Sequence, residues 1–348
     1  MSRPDLLARL ALASEERARN GLLRRMRTIT AIDGAHVVID GRRLRNFASN
    51  DYLGLAAHPL VREAMTRAAA RWGVGATAAH LLGGHRDEHE QLEHELAQWT
   101  GRSDALLFSS GYMANLGVMQ TVLEPRAICV QDKLNHVCLL DGAHLSGARL
   151  KRYRHLDVDS ARRQLEGDAE LPALIASDGV FSMDGDIAPL EEIVYLALKY
   201  DCLVIVDDAH ATGVIGPAGR GTSAYYGLKG RVAVELGTLS KSLAAEGGFV
   251  SGSKVLITYL VNRARSFIFS TALSAPVVAA GAAALSVLRQ EPERVSQLQR
   301  KAELVKKILL QGGVQLLPSD TPILPILSGS AERALAFSKR LEQRGLLV

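Results

Sequence analysis

The segment GTLSKSLAAEGGFVSG, residues 237 to 252, sets Lys241 among small and hydroxyl-bearing residues, with Thr238, Ser240 and Ser242 beside it and a glycine pair after it. An amine in so apolar a setting loses hydration, which a protein tolerates where the amine is wanted neutral or covalently bonded. In LVIVDDAHATGVIG, Asp207 ends an apolar run and His210 follows three residues later. That pair suits metal ligation, an acid–base couple or the orientation of a bound heterocycle. A zinc site needs further ligands at recognisable spacing. HRDEHEQLEH offers His85 and His89 at i, i+4 without a third ligand and without the zinc-protease signature.

In FSSGYMANLGV, Gly111 and Tyr112 open a helical stretch after the apolar run ALLF. Free N–H groups at a helix start, approached closely because glycine has no side chain, favour a phosphate. There is no G-x-x-x-x-G-K-[ST] loop, and GVGATAAHLLGG does not match the dinucleotide fingerprint, so neither nucleoside triphosphate nor nicotinamide chemistry is favoured. His136, in DKLNHVCLLDG, supplies an imidazole able to cover a flat ring. One cofactor needs a phosphate cradle, a carboxylate, an imidazole and a lysine together. Pyridoxal phosphate (PLP) has a phosphate, a pyridine nitrogen that a carboxylate keeps protonated, a phenolic oxygen and an aldehyde that a lysine captures.

These residues must be positioned by the elements around them. The runs at 127–132, 173–179, 202–208, 232–238 and 247–252 read as buried strands, and PLEEIVYLALKYD carries a helical stripe of Leu190, Ile193, Val194 and Leu198. Strand, helix, strand at this spacing predicts an α/β fold with a largely parallel sheet covered on both faces. Ligands gather at the carboxyl ends of such strands, where Asp178, Asp207, Asp208 and Thr238 stand. From about residue 276 the pattern turns helical, and LLPSDTPILPILSG reads as a strand of a smaller domain. The expected organisation is an N-terminal helix and short strand segment (1–45), a large cofactor-binding domain (46–275) and a small C-terminal α+β domain (276–348).

The composition of the 348 residues narrows the function classes. Apolar residues at 47%, charged residues at 22% and a net charge of +4, with scattered arginines, suit a soluble enzyme and give nucleic-acid binding little support. Cys129, Cys138 and Cys202 are odd in number and unclustered, as in a reducing cytoplasm. Leu6, Leu7 and Leu10 at helical spacing predict an amphipathic helix lying on the protein, not a secretory signal. Residues 266–288 carry no charge but are rich in Ala and Ser and interrupted by Pro276 and Gly281. They read as a buried helix at a domain or subunit boundary, not a membrane span.

Seven motifs carry a resemblance: NDYLGL, GYMAN, NHVCLLDGAHLSGA, DGVFSMDGDIAPL, DDAHATGVIG, GTLSKSLAAEGGFVSG and FIFSTALS. In this order the chain resembles the α-oxoamine synthases, PLP enzymes of fold type I (aspartate-aminotransferase-like), from about residue 20 to its end. Within them it is most similar to the 8-amino-7-oxononanoate synthases. The resemblance implies that Lys241 bonds the cofactor aldehyde and later acts as acid–base group. It also implies that Asp207 partners the pyridine nitrogen, that His210 and Ser182 bond the phenolic oxygen and that His136 stacks on the ring. Gly111, Tyr112, Thr238 and Ser240 hold the phosphate or its surroundings, and Ser270 and Thr271 reach the phosphate of a neighbouring subunit, which implies a homodimer. Arg24 meets the acyl substrate and Asn50 lies near the substrate amino acid.

The implied reaction is a decarboxylating condensation of L-alanine with a pimeloyl thioester, of CoA or of acyl-carrier protein, to 8-amino-7-oxononanoate in biotin synthesis. Glycine-using relatives, glycine C-acetyltransferase and 5-aminolevulinate synthase, are the alternatives, and a catalytically dead scaffold of the same fold is a third. His80 stands where the glycine-using relatives usually carry arginine. SAERALAFSKRLEQRGLLV predicts a helix through Gln343 or Arg344, capped by Gly345, with LLV opening a strand. Members of the family continue further, so the sequence reading expects a shortened small domain.

Overall fold

The computed structural model describes residues 5–348. Eleven strands occur among them: β1 Ile29–Asp33, β2 His36–Ile39, β3 Arg42–Asn46, β4 Asp104–Phe108, β5 Ile128–Asp132, β6 Arg149–Tyr153, β7 Ala173–Asp178, β8 Leu203–Asp207, β9 Val234–Thr238, β10 Gly248–Gly252 and β11 Leu346–Leu347. The chain forms two compact units, one of the segment up to Ser49 with Ile326–Val348, the other of Asn50–Pro325.

In the smaller unit, β1, β2 and β3 form an antiparallel meander and β11 adds to β3 in parallel. Val37, Ile39 and Leu44 are its buried residues, packed with Leu347. The helix Leu6–Arg19 begins where the Asp5 side chain accepts the N–H groups of Leu7 and Ala8, a standard N-cap. Its apolar stripe covers nothing, with none of its residues buried and Leu7 76% exposed, so it does not lie on the described chain as the leucine spacing predicted. The helix Ala331–Gln343 ends as the sequence predicts, with Gly345 at φ +83° turning the chain into β11.

The larger unit is built on a seven-stranded sheet in the order β4-β10-β9-β8-β7-β5-β6. Strands β9, β8, β7, β5 and β6 run parallel, and β10 is antiparallel to both β4 and β9. Apolar runs make this sheet because both faces are covered. Leu106, Cys129, Leu174, Ile205 and Leu236 pack into one buried cluster, while their sheet neighbours Leu107, Val130, Ile175 and Val206 enter clusters on the opposite face. Strand β6, with the sequence RLKRY, escaped the pattern reading because it is an edge strand with only Tyr153 buried. The opposite edge is protected differently. The Glu93 carboxyl, from the helix Asp87–Thr100, accepts the N–H of Leu107 on edge strand β4 at 2.9 Å.

Two features depart from the sequence reading. The compact units divide near residues 49 and 325, not at 45 and 275, because the helix Ala275–Gln290 packs against Pro59–Trp72 and Asp87–Thr100 within the larger unit. That packing buries Val278, Ala284, Leu285 and Leu288 inside the larger unit, while Phe269 and Thr271, earlier in the uncharged stretch, are exposed. The segment 316–325 is not a strand. Pro318, Pro322 and Pro325 remove ladder donors, and the hydroxyls of Ser319 and Thr321 instead donate to the Gly185 carbonyl at 2.8 Å each. Among the described residues no helix is long and apolar enough to cross a membrane.

Burial pushes the Glu93 carboxyl up to about 8, against the lowering effect of the Leu107 N–H. An unfolded glutamate titrates near 4.3, so from there to about 8 the folded chain keeps a proton that the unfolded chain releases. The stability tied to this group is therefore complete below the unfolded value and is lost as pH rises towards 8. Glu93→Gln keeps the acceptor and cannot ionise. Its melting temperature is expected to decline less steeply than wild type between pH 5 and 8; parallel declines contradict the buried, protonated carboxyl.

Candidate active site

The carboxyl ends of β7, β8 and β9 and the start of the helix Gly111–Val122 surround a cavity of about 270 Å³. Gly111, Tyr112, His136, Asp207, His210, Thr238, Ser240 and Lys241 all line it, together with Ser110, Cys138, Asp178, Val180 and Ala209.

Lys241 sits in the connection between antiparallel strands β9 and β10. The turn is closed by Ala244 N donating to Lys241 O at 2.9 Å, Ala245 N to Leu239 O at 2.9 Å and Leu239 N to Gly247 O at 3.0 Å. Burial lowers the amine below the ordinary lysine range, and the nearby Asp207, Asp178 and Cys138 oppose that shift. A less basic amine is a better nucleophile and proton acceptor near neutrality.

Asp207 ends β8 with its carboxyl 5% exposed. Its Oδ2 accepts from Asn115 Nδ2 at 2.7 Å and its Oδ1 from Ala209 N at 2.9 Å. Asp178 ends the neighbouring strand, paired in register with Asp207. Burial, and then the charge of Asp207, raise the Asp178 carboxyl well above the usual range, although His136 N donates to it at 2.9 Å. That bond fixes the backbone of His136, the N-cap of the helix Val137–Ser146.

His210 Nδ1 lies 2.8 Å from the Tyr52 hydroxyl. Burial drives this imidazole down to about 3, helped by Lys241 and His136, so the ring is neutral near pH 7. At the other end of the cavity, Ser110 caps the helix by accepting from Met113 N, which leaves the first N–H groups, those of Gly111 and Tyr112, outside the helical ladder. Opposite them, the Thr238 and Ser240 hydroxyls are 2.6 Å apart. A Cβ on Gly111 would lie 3.6 Å from Thr238 Cβ, in contact with the wall of this hollow. Two N–H groups, two hydroxyls and a helix N-terminus make a receptor for a phosphate dianion.

The remaining expected residues lie elsewhere. Ser182 follows β7 on a turn outside the lining, and Ser270 and Thr271 stand beyond it, with Thr271 exposed and bridged to Ala79. Asn50 is exposed, and its Oδ1 is 3.4 Å from the Tyr52 hydroxyl. Arg24 is an exposed residue of the smaller unit. The histidine pair of HRDEHEQLEH is held by protein partners: His89 Nε2 is 2.9 Å from Leu273 O, and His85 Nδ1 is 3.2 Å from Nδ1 of His80, which itself stacks on Phe267 at 4.6 Å. Among the described residues no three His, Cys, Asp or Glu side chains are placed to hold a metal ion.

Tyr52, Asn115, Cys138 and Asp178 are site residues that the sequence reading did not assign a role. Tyr52 and Asn115 lay inside motifs already singled out, NDYLGL and GYMAN, and that position was the available signal.

Residues 42–348 match the family described as aminotransferase class I and II. The chain is 46% identical to an 8-amino-7-oxononanoate synthase of Xanthomonas campestris pv. campestris, over 100% of this chain and 87% of the relative. It is 47% identical to one from Alkalilimnicola ehrlichii, over 95% of this chain and 85% of that protein. Among solved structures, a serine palmitoyltransferase from S. paucimobilis with a bound PLP–myriocin adduct superposes with a TM-score of 0.94 at 29% identity, over 99% of this chain and 92% of that one. An 8-amino-7-oxononanoate synthase from Francisella tularensis superposes with a TM-score of 0.77 at 26% identity, over 88% and 87%. The fold and the site thus define a PLP-dependent enzyme of fold type I. The chain belongs to the aminotransferase class I and II family and, within it, to the 8-amino-7-oxononanoate synthases.

Asn115 is 1% exposed, and removing its amide leaves the Asp207 Oδ2 only the Cys138 thiol at 3.7 Å. Hydrogen bonds to charged groups contribute about 1.5–3 kcal/mol. Asn115→Ala is expected to lose stability on that order in chemical denaturation. A midpoint equal to wild type contradicts the assignment of Asn115 as the carboxyl's anchor.

Proposed function

We propose that this chain carries out the decarboxylating condensation of L-alanine with a pimeloyl thioester, releasing the thiol and CO2 and forming 8-amino-7-oxononanoate, as a cytoplasmic homodimer. The observation that carries the reading is the single cavity in which a low-basicity lysine, a buried strand-end carboxyl and a helix-start phosphate receptor face one another. PLP fits these residues: the receptor at Gly111, Tyr112, Thr238 and Ser240 suits its phosphate, Asp207 its pyridine nitrogen and Lys241 its aldehyde. When bound, the cofactor supplies an electron sink for the bond cleavages at the amino-acid Cα.

The protein's own residues then have separable tasks. Asp207, anchored by Asn115, would hold a proton on the pyridine nitrogen. His136 would cover the ring face and His210 would contact the phenolic oxygen, with Ser182, on the turn after β7, as its further proposed partner. The Lys241 Nζ would hold the cofactor aldehyde and, when free, would accept the Cα proton, for which its depressed basicity suits it. Ser270 and Thr271 reach the phosphate held by the second subunit, Arg24 meets the acyl chain, and Asn50 meets the amino acid. The two relatives at 46% and 47% identity, both oxononanoate synthases by name, favour alanine over glycine.

Two measurements test the reading. Lys241→Ala is expected to fold, to lose the visible absorption of lysine-bound PLP and to lose turnover; retained turnover contradicts the role. With purified enzyme and pimeloyl thioester, alanine is expected to outperform glycine in kcat/KM by at least tenfold. A preference for glycine overturns the substrate assignment.

A further inference from the structure

The Tyr52 hydroxyl has one proton and two neighbouring acceptors. His210 Nδ1 lies at 2.8 Å, and Asn50 Oδ1 at 3.4 Å. The shorter contact has ordinary hydrogen-bond geometry, while the longer one is at the limit of a bond. A neutral imidazole carries a single N–H, on the nitrogen that its fixed partner does not use as acceptor.

We infer that Tyr52 is a positioning residue: its hydroxyl donates to His210 Nδ1, places the imidazole proton on Nε2 and so leaves His210 a hydrogen-bond donor toward the cavity. This rests on the proposed function above, in which the group that His210 faces is an acceptor, the phenolic oxygen of the cofactor. The Nε2 has no protein hydrogen-bond partner among the described residues, and His210 lines the cavity beside Ala209 and Lys241. A Tyr52 that accepted instead, with its proton given to Asn50, would put the imidazole proton on Nδ1 and present a bare lone pair to that oxygen. Two like acceptors facing one another repel.

Two further observations agree. Burial raises the Tyr52 phenol to about 12, so it remains a proton donor across the range in which such an enzyme works. Its ring meets that of His210 edge-on at 6.2 Å between centroids, which holds the imidazole against rotation. Tyr52 reaches His210 across 158 residues of chain, and it also touches Asn50. The hydroxyl thereby links the side chain proposed to meet the amino acid to the one proposed to meet the cofactor. An amino acid that engages Asn50 withdraws the competing acceptor and strengthens the donation to His210.

The test uses holoenzyme with 15N-labelled histidine. In wild type, the His210 resonances are expected to report a proton on Nε2 and a hydrogen-bonded, unprotonated Nδ1 from pH 6 to 8. Protonated Nδ1 in wild type overturns the inference without any variant. Tyr52→Phe is expected to give a mixture of the two tautomers, to shift the pH dependence of the visible band and to lower kcat about 3- to 10-fold, the loss of one hydrogen bond. The KM for alanine should change less than twofold. A Tyr52→Phe enzyme with the wild-type tautomer and the wild-type pH profile also overturns it. Failure of the functional reading looks different: no lysine-bound PLP band forms in wild type at all.

Discussion

An amine and two carboxyls share one small cavity, and the rest of the larger unit is arranged to make that tolerable. Removing charges from water costs several kcal/mol each unless partners replace the solvent. Asp207 has Asn115 and the Ala209 N–H, Asp178 has the His136 N–H and a carboxyl raised well above the usual range, and Lys241 gives up basicity. The parallel sheet supplies the geometry for this. Strands β7 and β8 end level at Asp178 and Asp207, and β9 runs two residues further to Thr238, so the two carboxyls and the Thr238–Lys241 turn meet without long loops.

The antiparallel insertion of β10 between β4 and β9 is the second constraint. It forces the chain to reverse right after β9, and the reversal carries Lys241 across the mouth of the sheet. Gly248 permits it, because a Cβ there would come 2.6 Å from the backbone of Gly111. The lysine turn and the phosphate-binding helix start are therefore held against each other by one close backbone approach. Any side chain at Gly248 would separate the amine from the phosphate receptor.

Much of this was legible in the sequence, because it is local. Asp207, His210, Thr238, Ser240 and Lys241 fall at ends of apolar runs, Gly111 and Tyr112 open a helix after such a run, and those positions are where an α/β sheet binds ligands. What stayed hidden depends on pairings between distant segments. Asn115 looks like an ordinary helical residue until β8 brings Asp207 to 2.7 Å, and Tyr52 is tied to His210 only by the fold. Strand β6 was hidden by its edge position, which leaves the apolar pattern undemanded. Residues 266–288 were legible as a helix with a buried face, but not as to which elements cover that face. Their lack of charge shows burial without naming the partner, and the fold seats the small residues Ala280, Gly281 and Ala284 inside the larger unit.

The central claim is that one lysine, Lys241, is the residue on which the site converges. Borohydride reduction of the PLP-loaded enzyme fixes any lysine–cofactor bond irreversibly, and peptide mass spectrometry locates it. The account predicts a phosphopyridoxyl group on Lys241 in stoichiometric yield and on no other lysine. Labelling of a different lysine, or a protein that emerges unmodified, would contradict it.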